Sequence, residues 1–392
     1  MSRLRFVLAG ALLLGTLFPA AASAEPPGSR DAARQIESAI ESSLDEIDWD
    51  SWSGYLAGTD LRSGDAGQSV RELLAGDVGG ALRALVESGA MLVPASLRRT
   101  FTLTLQLLVI IIFSAILQHI SGAMGSWQIS GGASLVLYLC IVSLIGWSFL
   151  SIYTICGDAV GSMLGFFDFL LPILMTLLAA TGGLASAAGL QPTLVIMSRV
   201  LAAVVERAIL PIILGAAVLV LLNHLALEKN LTSLINFLKS LCKWTMGSVM
   251  TALTAIVSIQ GVSLAGYDGI SIRTAKYTVD TIVPVVGGMF SDLVELMTAG
   301  SVMVKNAVGT LGLITLLALI AQPLITLLSY MLALRLSAAL AGPLGAERIG
   351  RCLEDYAGLV LLWILAMLMV AAFLFLLIFM VVAMGNAVVM YR

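Results

Sequence analysis

Residues 357–384 read AGLVLLWILAMLMVAAFLFLLIFMVVAM, a run without one charged side chain. A helix needs about 20 apolar residues to cross the hydrocarbon of a bilayer. This run exceeds that length, so it tilts, kinks or extends beyond the bilayer. Further apolar runs precede it at 101–119, 133–155, 161–181, 209–226, 244–264 and 306–334, the last with a kink point at Pro323. Composition agrees: 59% of residues are hydrophobic, 11% are charged and mean hydropathy is +1.01. A soluble domain carries about 25% charged residues, so lipid must solvate most of this surface. The predicted fold class is all-α: a polytopic membrane protein of about seven transmembrane helices plus interfacial amphipathic helices, with a cleaved signal peptide.

The front of the chain is different. Arg3 and Arg5 precede the apolar stretch FVLAGALLLGTLF (6–18), and Ala22-Ser23-Ala24 has the small-x-small form of a cleavage site. Residues 1–24 therefore read as a signal peptide. Residues 25–97 hold 13 of the 24 acidic residues and five of the 21 basic ones. The expected organisation is a signal peptide (1–24), an extracytoplasmic acidic helical segment (25–100) and a multi-span membrane domain (101–392). Trp49, Trp52 and Tyr55 form an aromatic cluster, read first as an interfacial anchor and second as a partner-binding surface. The segment is short of large apolar residues for a core of its own, so docking on the membrane part or on a partner is expected.

Three stretches do not read as simple spans. In 231–243, Thr232, Asn236, Lys239 and Lys243 form one stripe opposite Leu231, Leu234, Ile235, Leu238 and Leu241, the pattern of a helix lying in the interface. Residues 192–208 carry Ser198, Arg199 and Glu206 along one side and run into 209–226 without a loop, with a bend expected at Pro211. Residues 265–305 are too polar for a span and too apolar for a solvated loop, which suits interfacial helices or a re-entrant hairpin. An exported front and seven spans place the C-terminus in the cytoplasm. Lys and Arg split six against six between the two sides, so the positive-inside rule does not discriminate.

Chemistry in such a chain would show as polar groups within apolar runs. Asp168 lies inside GFFDFLLPIL. A mid-bilayer carboxylate costs about 2.5–3.5 kcal/mol on insertion scales, so it faces protein or water. It reads either as a pore or ion site or as a structural hydrogen bond to a neighbouring helix. Arg199 either pairs with it or snorkels to headgroups. Gly157, Gly161 and Gly165 form a GxxxGxxxG ridge suited to close helix packing, within the chain or between copies. No catalytic residue, metal site or cofactor motif stands out: GxxxxGK[ST], HExxH, GxSxG and the dinucleotide fingerprint are all absent. No basic block points to nucleic acid. Cys140, Cys156, Cys242 and Cys352 are far apart and read as buried small hydrophobes.

The stretch TVDTIVPVVGGMFSDLVELMTAGSVMVKNAVGTLG (278–312) resembles the stage III sporulation protein AE family, with its pattern "IPVVG-x-MF-(S/T)-D" followed by "LLKN-x-VG". LQLLVIIIFSAILQ (105–118) and FFDFLLPILMTLLAATGG (166–183) are similar as well. The motif positions here are Pro284, Gly287, Gly288, Asp292, Lys305 and Asn306. The resemblance implies a role in endospore formation, as a subunit of the complex that forms a channel, or feeding tube, between mother cell and forespore. It also implies residence in the mother-cell membrane around the forespore, other complex subunits as partners and a separate ATPase chain. It supplies no catalytic residues. The residues taken alone leave two other readings open: a stand-alone transporter with Asp168 as coupling-ion site, and a passive membrane scaffold.

Overall fold

In a computed structural model, residues 47–57, 127–225, 231–282 and 287–390 are described, with a few helical residues between 102 and 116. Side chains are described over most of 47–55, 145–224, 231–260 and 299–384. The signal peptide, most of the acidic segment and Pro284 lie outside this set. All elements among the described residues are helices: α1 (Trp49–Ala57), α2 (Trp127–Ala180), α3 (Leu184–Val204), a π turn (Val205–Ile209), α4 (Leu210–Leu225), α5 (Thr232–Ile282), α6 (Gly287–Ala341) and α7 (Glu347–Met390).

Five stretches are long and apolar enough to cross a membrane: Ile145–Ala180, Leu184–His224, Thr232–Gln260, Ala299–Ala341 and Ile349–Met384. The expected seven are therefore not all found among the described residues. The runs at 133–155 and 161–181 are one uninterrupted helix, α2. Its intervening polar residues do not form a loop, because Cys156, Ala159, Val160 and Met163 remain on its buried face. The run at 101–119 appears as a shorter apolar helix, Thr104–Phe113. The stretch 231–243 is not a separate interfacial helix; it is the first part of α5, continuous with the apolar run behind it. Residues 265–305 form the end of α5 and the start of α6, flanking 283–286. With two expected crossings merged, counting spans no longer fixes the side of the C-terminus.

The absent loop at 208–209 is confirmed as a continuous rod, α3–π–α4. The π turn falls immediately before Pro211, which has no amide hydrogen for the carbonyl four residues back. The Leu210 amide reaches Val205 instead, five residues back, so the bulge absorbs the proline.

The bundle is built around α7. Phe149 on α2 stacks on Trp363 at a 4.3 Å centroid distance and meets Tyr356 edge-on at 5.1 Å. Cys156 Sγ lies 3.7 Å from the Trp363 carbonyl. Tyr356 donates its hydroxyl to the Ala217 carbonyl at 2.8 Å, joining α7 to α4. These pairs set α2 and α7 parallel. Antiparallel α6 packs between them: a Cβ at Gly309 would strike Val382, and one at Gly312 would strike Leu170. In lipid, such close approach of backbones replaces the hydrophobic effect as the source of helix association.

The register also measures depth. Near the start of α7, Asp355 accepts from Lys239 at 3.2 Å and lies 3.9 Å from His224 Nε2. An adjoining cavity of about 580 Å³ is lined by Arg335, Glu347, Arg351 and Glu354 among others. This charged belt closes one end of the uncharged stretch of α7. From Tyr356 to its end at Met390, α7 has no charged residue and runs about 52 Å at ~1.5 Å per residue. That exceeds a bilayer with its headgroup regions, about 40–45 Å.

Candidate functional site

Two sites stand out once the helices are in register. The first lies on the α2–α3 hairpin, whose Thr181-Gly182-Gly183 turn places Gly182 at φ +93°, a conformation glycine adopts without steric cost. Arg199 Nη2 donates to Asp168 Oδ2 at 2.6 Å. The pair sits on the outside of the bundle, with the Arg199 side chain 66% and the Asp168 side chain 30% exposed. The Cys156–Trp363 register places Asp168 level with Phe375 on α7, about 14 Å or more from either end of the uncharged run. Pro172 adds polarity at the same place, because it has no N–H to offer the Asp168 carbonyl. Asp158 is exposed about two turns further from Asp168 than Gly165, level with Leu365. Glu206 and Arg207 are exposed in the π turn, about 10 Å along from Arg199.

Of the glycine ridge, Gly157 and Gly161 have nothing within 4 Å of a would-be Cβ. Gly165 faces Tyr55 of α1, whose hydroxyl lies 3.6 Å from that position. The aromatic cluster is thus not an interfacial anchor at Trp52. That ring is wholly buried against Phe166 and Phe169, and its indole N–H donates to Thr315 Oγ1 at 3.2 Å. Docking of this segment on the membrane part is what the structure shows for 47–57. Asp48 starts α1, accepting from the Ser51 hydroxyl at 2.5 Å and the Ser51 amide at 3.0 Å. These two bonds, the hydroxyl's first, hold its carboxyl below the usual carboxylate range.

The second site is the later half of the 278–312 motif. Lys305 is wholly buried, and its Nζ donates to the Val382 carbonyl at 2.7 Å. Asn306 Oδ1 is buried without a hydrogen-bond partner among the described residues, while the Asn306 carbonyl accepts from Thr310 at 2.7 Å. Val304 and Val308 are fully buried, and Gly309 abuts Val382. Lys-Asn-x-Val-Gly is thus the surface by which α6 seats on the end of α7. Gly287 and Gly288 open α6, and the Asp292 side chain lies outside the described residues. The motif and the Asp168–Arg199 pair are separate places.

Sequence comparison now adds a decisive observation. The family profile described as "Stage III sporulation protein AE (spore_III_AE)" matches residues 65–385. The chain belongs to the stage III sporulation protein AE family. The curated "Stage III sporulation protein AE" of Bacillus subtilis (strain 168) is 29% identical over 286 residues, covering 73% of this chain and 72% of that protein. No solved structure matches. Membership gives this family member a role in sporulation, and its apolar helices make it a multi-pass membrane protein. The matched region contains both the hairpin ion pair and the Lys305 seat.

Sequence reasoning missed Trp52–Thr315, Asp158 and Tyr356. Asp158 had a usable signal: Thr154, Asp158, Ser162, Gly165, Asp168, Pro172 and Thr176 follow helical spacing.

Proposed function

We propose that this protein is a non-enzymatic membrane subunit of the channel complex between mother cell and forespore, held in the mother-cell membrane. Family membership supports the process, and the Asp168–Arg199 pair carries the channel reading. A charge pair on the outside of an apolar bundle, at hydrocarbon depth, is costly against lipid. It is stable where another subunit or a water-filled path covers it. The chain has no phosphate-binding loop in its sequence, which supports a separate ATPase chain as energy source. Other complex subunits complete the conduit.

The test is replacement of the chromosomal gene by Asp168→Asn, by Arg199→Gln and by the exchanged pair. At matched protein level, the single variants are expected to lower heat-resistant spore counts at least tenfold, and the exchange to recover part of the loss. Unchanged counts in both single variants would remove the channel role of the pair. Solute uptake by the purified chain alone in liposomes would replace the subunit reading by a stand-alone permease.

A further inference from the structure

We propose that the polar stripe on the outer face of α2, flanked by the Asp168–Arg199 pair, is the water-facing wall of a conduit for small cationic or zwitterionic solutes. This rests on the channel reading and extends it from one ion pair to a surface. Between Leu150, 55% exposed, and Leu184, 69% exposed, α2 presents no exposed large hydrophobic side chain. What it presents instead is Thr154, Asp158, Gly161, Ser162, Pro172 and Thr176, a stripe of about 33 Å at ~1.5 Å per residue. That length is the thickness of the hydrocarbon. Asp168 and Arg199 flank the stripe, and Glu206 follows Arg199 at i+7 on the same side of its helix.

The contrast at equal depth is direct. On α7, level with Asp158 and its neighbours, the exposed side chains are Leu361, Leu365 and Leu368. The α7 side of the bundle is therefore dressed for lipid and the α2 stripe is not, while α3 beside it keeps Ile196 and Val200 exposed next to Arg199. An independent element agrees. Helix α1 meets the stripe where Tyr55 lies against Gly165, and Asp48 and Asp50, seven and five residues before Tyr55, are exposed. Carboxylates so close to the stripe are costly against hydrocarbon on that face. Acids outnumber bases around the face: Asp48, Asp50, Asp158, Asp168 and Glu206 against Arg199 and Arg207. The resulting negative potential enriches cations and disfavours anions.

The experiment uses the full chain in membranes of sporulating cells, with the four native cysteines replaced by alanine. Single cysteines are placed by Thr154→Cys, Ser162→Cys, Thr176→Cys and, for the lipid side, Leu365→Cys. Each is reacted with membrane-impermeant thiosulfonates, one cationic and one anionic. The expected result is reaction at least tenfold faster at the three stripe positions than at Leu365→Cys, and faster with the cationic reagent. Equal, slow reaction at all accumulated variants overturns the proposal. Protection of Ser162→Cys together with disulfide linkage between two copies overturns it in favour of a homotypic helix interface. Faster labelling by the anionic reagent overturns the charge preference. Fast stripe labelling alongside normal spore counts for Asp168→Asn leaves the wall standing while removing the channel role of the ion pair.

Discussion

The seat of α6 on α7 makes a prediction that contains its own control. A Cβ at Gly309 would lie 2.2 Å from Val382 Cγ2, and one at Gly312 would lie 2.5 Å from Leu170 Cδ2. Ordinary contact begins at 3.4 Å, so Gly309→Ala requires Val382 to retreat by about 1.2 Å. Val382 is β-branched on a helix, with one strongly preferred rotamer, so it retreats only by moving backbone. Overpacking of this kind costs about 1–3 kcal/mol. Replacing helical glycine by alanine returns at most ~1 kcal/mol, leaving a net loss of up to roughly 2 kcal/mol. Leu170 is a longer, more adaptable side chain, so Gly312→Ala should lose less. Gly157→Ala and Gly161→Ala meet nothing within 4 Å and should be neutral or slightly stabilising in the isolated chain. The assay is the midpoint of heat-induced aggregation in detergent, read by size-exclusion chromatography. The expected order is Gly309→Ala below Gly312→Ala, both below wild type, with the ridge variants at or above it. A Gly309→Ala protein as stable as wild type would refute the packing argument.

Further outcomes follow from single contacts. Trp52→Ala empties a fully buried site and should cost about 3–5 kcal/mol of α1 docking, read as protease cleavage within 47–57. Trp52→Phe should lose far less, because Thr315 also donates to the Leu311 carbonyl at 2.9 Å. Lys305→Met should destabilise by no more than about 1–2 kcal/mol, since the Val382 carbonyl loses only its lysine donor; Lys305→Glu, which buries a carboxylate against the Val382 carbonyl, should abolish accumulation. Asp48 titrates below its unfolded value, so the docking it contributes is present at neutral pH and falls away as pH drops through its lowered pKa. Asp48→Asn should keep the cap and flatten that pH dependence, followed by the same cleavage assay.

Much of the fold was readable because lipid imposes one rule, an apolar run of sufficient length. The failures have two causes. Window hydropathy falls at TICGDAVGS (154–162), which looks like a gap between two spans. Periodicity is the better signal there, since polar and small residues fall on one side of an unbroken helix while Cys156, Val160 and Met163 stay buried. The stretch 231–243 misled for the opposite reason. Its lysine stripe has the form of an interfacial helix, yet Lys239 finds its partner at Asp355, 116 positions away. Nothing local in the sequence encodes that contact.

The candidate site divides along the same line. Asp168 was legible because a carboxylate within an apolar run must have a reason. Its pairing with Arg199 was not, because register across a hairpin depends on where the turn falls, and only the Thr181–Gly183 turn fixes it. Lys305 was flagged by motif alone, and burial gives the motif a physical meaning. A wholly buried lysine whose head reaches a backbone carbonyl is a poor source of stability, since desolvation offsets most of the attraction. Every turn of α7 offers carbonyls, so that bond alone does not choose the register. Sliding α6 by one turn would bring Lys305 or Leu313 against Val382 in place of Gly309, where even an added Cβ has no room. The two features of Lys-Asn-x-Val-Gly therefore act together, glycine fixing the register by permitting the approach and lysine closing the contact. The α2–α3 hairpin, packed on α6 through Leu170 and Leu174, inherits its position from that choice. On this argument the motif does not line the path; it sets the wall that does.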